Sequence, residues 1–243
     1  DVYKRQAYHK AWWPQRLTLN RADAVATVSE TSRQQILAHR LTKRDVRVVA
    51  NAAPSSGIPG AEALQRLERR GTDLVYMGSF LPYKNVETLL RAMAHLPGHT
   101  LHLLSRITPA REAQLRTHVP EGAHVVFHRG VGEDEYRELL TSCAALVTAS
   151  RAEGYGLPLV EAFAQGAPVV CSELPIFHEV AGDAAGYAPS DDDAAFAARV
   201  RELTDPGVAR ERVLAGLERI REHTWGDSAR DLLDLAWELH QRG

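Results

Sequence analysis

Short runs of β-forming residues alternate with helix-forming stretches along nearly the whole chain, and this alternation limits the fold more than any other feature. The β-type runs are residues 24–29, 46–50, 73–78, 101–105, 124–128, 145–148 and 168–171. Strands separated by helical patterns imply βαβ units and a parallel sheet. Between the runs, Val86, Leu89, Leu90 and Met93 recur at helical spacing, and Tyr136, Leu139, Leu140 and Cys143 repeat the pattern. These stretches read as surface helices covering a sheet. The expected class is therefore α/β, with helices on both faces of a parallel sheet.

The run Ala52-Ala-Pro-Ser-Ser-Gly-Ile-Pro-Gly60 joins small residues with Pro and Gly, and it reads as an interdomain linker over 52–60. Ahead of it stand too few elements for a free-standing α/β domain, so 1–51 is expected to be the remnant of an N-terminal domain. Residues 1–6 are polar and aperiodic and are set aside as a scar. Residues 61–222 suffice for a complete α/β domain, and 223–243 form a final helix after the punctuation Trp225-Gly-Asp227. Asp191-Asp-Asp193 reads as a helix N-terminal cap. Trp12, Trp13 and Trp225 are expected to pack between helices or domains.

Composition excludes several classes of function. With 44% hydrophobic and 25% charged residues the chain is not disordered, and 29 basic against 31 acidic side chains give no general attraction to nucleic acid. No apolar run reaches the roughly 18 residues that span a bilayer. Cys143 and Cys171 lie in apolar surroundings without CxxC spacing and read as reduced core residues, which fits the cytoplasm.

Two segments could carry chemistry. In Ser150-Arg-Ala-Glu-Gly-Tyr-Gly-Leu-Pro-Leu-Val-Glu161, two carboxylates lie eight residues apart directly after a strand, where an open α/β sheet places its ligands. On one continuous helix they would diverge by roughly 80°. Gly154, Gly156 and Pro158 instead make a turn, with Pro158 at a first helical position and Glu161 in the first turn, so that both carboxylates can face one pocket. The backbone N–H groups of Gly154-Tyr-Gly-Leu-Pro could cradle a phosphate. The second segment, Gly78-Ser-Phe-Leu-Pro-Tyr-Lys-Asn85, runs from a strand into a helix and adds the charge of Lys84 to a helix N-terminus suited to anions. Both loops should share the carboxyl edge of one sheet, and hence one cleft. His128 and His178 read as structural or solvated. There is no Asp-x-Asp after a strand and no His/Asp cluster with metal-ligand spacing, so no metal is expected.

From Ala22 onward these residues resemble the retaining GT-B glycosyltransferases, family 4 (the group 1 family) in particular. The likeness rests on Glu153-Gly-Tyr-Gly-Leu-Pro-Leu-Val-Glu161-Ala-Phe-Ala-Gln-Gly-Ala-Pro-Val-Val170, an E-x7-E signature. Residues 78–85, Phe127-His-Arg-Gly-Val131, Glu179-Val-Ala-Gly182 and the 225–232 helix entry extend it. The resemblance implies two Rossmann-like domains, the second binding a nucleotide diphosphate sugar, a final helix crossing back, and a chain truncated at its N-terminus. It implies that Lys84 neutralises the donor diphosphate, Glu161 holds the ribose hydroxyls and Glu153 faces the sugar. Tyr155, Gly156 and Leu157 would meet sugar and phosphate, and Arg129, Gly130 and Val131 would build the base pocket. Ser79 stands where many relatives carry arginine, leaving Arg106, Arg129 or Arg151 to supply that charge by turning inward. The activity implied is hexosyl transfer, with mannosyl transfer one option, to a carbohydrate or lipid-linked acceptor, without cofactor. Any peripheral membrane contact would belong to the missing first domain. A non-catalytic nucleotide-sugar-binding module is the alternative. A hydrolase or dehydrogenase lacks its GxSxG or GxGxxG.

Overall fold

The computed structural model describes residue 14, residues 16–54 and residues 57–242. Trp12, Trp13 and the segment 1–6 lie outside the described residues. The chain divides into two compact units, residues 1–51 with 225–243, and residues 52–224.

In the first unit, β1 (Val25–Thr27) pairs in parallel with β2 (Val46–Val48), and α1 (Glu30–Ala38) lies between them in sequence. Both strands are shorter than the β-type runs that contain them. Ser29 starts α1, its hydroxyl accepting the Ser32 N–H at 3.0 Å, a cap that satisfies one of the free donors of the first turn.

The second unit holds α2 (Gly60–Leu67), β3 (Asp73–Tyr76), α3 (Val86–Ala92), β4 (Thr100–Leu103), α4 (Pro109–Arg116), β5 (His124–Phe127) and α5 (Glu133–Ser142). It continues with β6 (Ala145–Thr148), α6 (Leu157–Ala164), β7 (Val169–Ser172), α7 (Pro175–Ala181), β8 (Ala185–Ala188), α8 (Asp193–Glu202) and α9 (Pro206–Arg219). The strands form one parallel sheet in the order β5-β4-β3-β6-β7-β8. Strand β8 was not among the expected runs. Its residues Ala-Gly-Tyr-Ala include no β-branched side chain, and pairing with β7 rather than local propensity makes it a strand.

Successive strand residues face opposite layers. Val75 and Leu146 point to a core shared with Leu140, Leu159, Phe163, Phe177 and Val213, and Leu74, Tyr76 and Val147 to one shared with Leu90, Leu115 and Phe196. Each fully buried side chain of this size contributes about 1.5–3 kcal/mol. The 52–60 segment, expected as a linker, falls within this unit: Ala53 is buried in the first core, and the Ile58 N–H donates to Ala164 O at 3.0 Å. Cys143 and Cys171 are both free and buried, and burial pushes the Cys143 thiol up to about 12.

One half-buried cation locks the amino edge of the sheet. The Arg70 guanidinium donates to Leu140 O (3.0 Å) and Cys143 O (2.7 Å) at the end of α5, and to Gln165 O (3.4 Å) and Gly166 O (2.8 Å) past the end of α6. These carbonyls lie at the negative ends of two helix dipoles, where a cation is stabilised.

Finally α10 (Trp225–Arg242) returns to the first unit, where Ser228 Oγ donates to Ala50 O at 2.6 Å and Arg47 pairs with Glu238. Trp225 is 49% exposed rather than packed. It opens α10, ahead of the turn that carries Ser228. Among the described residues no helix is long and apolar enough to cross a membrane.

Candidate functional site

From β3 the chain steps outward through β4 to β5, then returns to the other flank of β3 with β6. That reversal opens a crevice at the carboxyl ends of β3 and β6, the place where open α/β sheets bind ligands. The two strands run in register, Leu74 opposite Ala145 and Val75 opposite Leu146, so the 77–85 and 149–156 loops leave the same edge side by side. The expected meeting of these loops takes place: Lys84 Nζ lies 2.6 Å from Glu153 Oε1.

Tight local geometry sets this contact. Gly78 lies beneath the Tyr76 hydroxyl, which donates to Ser79 O at 2.7 Å, and a Cβ at position 78 would stand 2.8 Å from that oxygen. Lys84 ends a short 3₁₀ turn, and Asn85 follows in the left-handed region at φ 52°. The buried Asn85 side chain donates to Ala149 O (3.1 Å) and Ser190 O (2.6 Å), joining the loops after β3, β6 and β8. On the opposite loop, the hydroxyl of the buried Ser150 donates to Glu153 Oε1 at 2.7 Å. Gly156 then starts α6 at φ 98°, where a Cβ would stand 2.7 Å from the Phe177 ring. The helix begins at Leu157, one residue before Pro158, and without a side-chain cap. Glu161 therefore falls one residue beyond the first turn.

Glu161 occupies different surroundings from Glu153. Tyr136 on α5 donates its hydroxyl to Glu161 Oε2 at 2.9 Å, and both line a cavity of about 440 Å³ with Pro54, Glu133, Arg137, Leu140 and Gln165. Neither Glu153 nor Lys84 lines it. The two carboxylates take different partners: the turn points Glu153 at the 77–85 loop, while the helix carries Glu161 across to α5. Burial raises the Glu161 carboxyl above its ordinary range, opposed by the Tyr136 hydrogen bond.

Ser79 is exposed. Tyr155 is half-buried against the core, and burial raises its phenol. Leu157 is 39% exposed at the helix start. Gly130 and Val131 follow β5, with Val131 packed on the first core. Arg129 does not turn inward but meets Glu112 on α4 at 3.2 Å. Arg151 is turned to Asp191 and to Pro82 O (3.2 Å), and so braces the loops instead of facing the cleft. Arg106 is exposed, with its stem against Gly130. The two candidate histidines have structural settings. His128 Nε2 lies 2.8 Å from His102 Nδ1, and His178 stacks on Tyr187 at 3.9 Å. Asp192 caps α8 through the Ala195 N–H at 2.8 Å, as its place before a helix suggested. Ser150, Asn85 and Tyr136 were not singled out from sequence, and only their partners in space reveal them. Among the described residues no group of three or more His, Cys, Asp or Glu is placed to hold a metal ion.

A Rossmann-like parallel sheet with a cation, a carboxylate and a glycine-initiated helix at its switch point defines an α/β domain of the kind that places ligands at that edge. Residues 71–205 match the family model described as "Glycosyl transferases group 1", and the chain belongs to that family. It is 30% identical over 224 residues to O-antigen chain mannosyltransferase B of Escherichia coli, covering 86% of this chain and 58% of that protein. Among solved structures it superposes on sucrose-phosphate synthase from Thermosynechococcus elongatus with a TM-score of 0.82 at 23% identity, covering 97% of this chain and 63% of that one. Anabaena HepE in complex with UDP and glucose gives 0.71 at 17% identity, over 91% and 64%. These structures establish the shared fold. The chain spans about half the length of curated relatives it matches, 58% of O-antigen chain mannosyltransferase B and 53% of a second mannosyltransferase, from Salmonella typhimurium.

Proposed function

We propose that this chain is the donor-binding part of a retaining glycosyltransferase, which moves a sugar from a nucleotide diphosphate sugar to a glycan, lipid or small acceptor. The observation that carries this reading is the Lys84–Glu153 contact at the β3/β6 switch point, with Glu161 on the helix that follows. Likeness to a mannosyltransferase of O-antigen chains favours mannose as the sugar. The UDP and glucose bound to a protein of the same fold favour a nucleotide sugar as donor.

In this reading, cleavage of the sugar–phosphate bond throws negative charge onto the diphosphate. Lys84 and the N–H groups near the start of α6 stabilise it, so side chains and backbone rather than a metal carry the charge. Glu153 holds the sugar and Glu161 the ribose hydroxyls. Ser79, in place of arginine, offers a hydroxyl to the phosphates. Arg129, Gly130 and Val131 wall the base, and Tyr155, Gly156 and Leu157 line the sugar and phosphate path. A cytoplasmic setting belongs to the same reading, supported by the free, buried Cys143 and Cys171. Transfer needs both substrates in register, so the 243-residue chain alone is expected to bind donor but to turn over slowly. Calorimetric titration with a panel of nucleotide sugars tests the reading. Binding of at least one supports it, and a folded protein that binds none overturns it.

A further inference from the structure

The two side chains assigned to opposite ends of a donor, its diphosphate and its sugar, hold each other. Lys84 and Glu153 are only 16% and 14% exposed, so their attraction at 2.6 Å is screened less than that of a surface pair. The Oε1 atom that meets Lys84 also accepts from Ser150, whose hydroxyl is buried at the end of β6. The carboxylate is thereby positioned to receive the ammonium. Three other cations of this edge are committed, Arg111 to Glu87 at 2.7 Å, Arg129 to Glu112 at 3.2 Å, and Arg151 to Asp191, while Arg106 is exposed against Gly130. A diphosphate entering the crevice meets a lysine whose charge is already balanced.

We infer that Glu153 competes with the diphosphate for Lys84, and that this competition makes the site hold nucleotide sugar in preference to the nucleoside diphosphate left after transfer. The inference rests on the donor-site reading above. While the sugar is attached, its hydroxyls donate to the Glu153 carboxylate and occupy it, leaving Lys84 to the phosphates. After the sugar has gone, nothing on the product occupies Glu153. The carboxylate then returns to Lys84 at the expense of the phosphates, and the product leaves. Glu153 thus adds discrimination between donor and product to its contact with the sugar, in a reaction class where release of product limits many turnovers.

Glu153→Gln tests this, because the amide keeps the shape and can still accept from Ser150 and Lys84 but carries no charge. The 243-residue chain and the variant are titrated calorimetrically with UDP, GDP and ADP, with the corresponding monophosphates, and with UDP-glucose and GDP-mannose. Thermal melts confirm that both are folded, and Glu153→Ala provides a second variant without the carboxylate. For the diphosphate that binds, the variant should bind about tenfold more tightly. The monophosphate should gain much less, and the preference for nucleotide sugar over diphosphate should shrink. Unchanged or weaker diphosphate binding overturns the inference while leaving the donor site standing, as does an equal gain for the monophosphate. Absence of binding by every nucleotide to both folded proteins overturns the donor-site reading, and this inference with it.

Discussion

The two edges of the large sheet use cations in opposite ways. At the amino edge, Arg70 is half-buried and donates to main-chain carbonyls at the ends of α5 and α6. Those acceptors are fixed by the helices that present them, and nothing can exchange for them without unfolding a helix end. At the carboxyl edge, Lys84 faces a side-chain carboxylate on a loop. That acceptor can rotate away, and a phosphate can replace it. The physics of each contact is the same, but a cation held by backbone is a lock, and one held by a side-chain carboxylate can exchange its partner.

The largest effect should come from removing the lock. Arg70→Leu should cost about 3 kcal/mol, because buried carbonyls at two helix ends lose their donor. Thermal unfolding reads the loss, and a near-wild-type melting temperature would place Arg70 among ordinary surface cations. Asn85→Ala should cost about 2 kcal/mol through two lost hydrogen bonds and a left-handed backbone. Asn85→Gly keeps that backbone without strain and should recover part of the cost. Equal losses in the two variants would mean that conformation contributes nothing there.

Lys84→Ala should behave in the contrary way to Arg70→Leu. Its melting temperature should stay close to wild type, while nucleoside diphosphate affinity falls roughly tenfold or more, as for the loss of one charge-assisted contact. A large loss of stability with unchanged binding would turn Lys84 into a second lock.

The smallest effect concerns Glu161, whose carboxyl is raised by burial. A raised carboxyl releases its proton later in the folded state than in the unfolded chain, so folding is opposed as pH rises through and above the ordinary carboxylate range. Glu161→Gln should melt slightly higher than wild type near pH 7, and the gain should vanish as the pH is lowered toward 4. The same change should weaken nucleoside diphosphate binding. A gain that persists at low pH would assign it to packing instead of charge.

Legibility from sequence followed the range of the forces involved. Strands such as β3, β6 and β7 were readable because apolar β-formers crowd them, whereas β8 was not, since its small residues are held by β7. The approach of Lys84 to Glu153 was readable because strand, loop and helix order places both on one edge. What Glu161 faces was not, for it depends on Tyr136, 25 residues away on another helix. Asn85 was passed over for the same reason, its partners lying 64 and 105 residues along the chain. Arg129 and Arg151 could be named as free cations only while Glu112 and Asp191 were unplaced.

In the proposed donor complex one nucleotide bridges the β3/β6 crevice and the Glu161 cavity. A crystal structure of the 243-residue chain with the nucleoside diphosphate that binds it tests this directly. The diphosphate is expected against Lys84 Nζ and the N–H groups near the start of α6, with the ribose hydroxyls on Glu161 beside Tyr136. A nucleotide seated on the Glu161 cavity with its phosphates turned away from Lys84, or bound elsewhere on the chain, would contradict it.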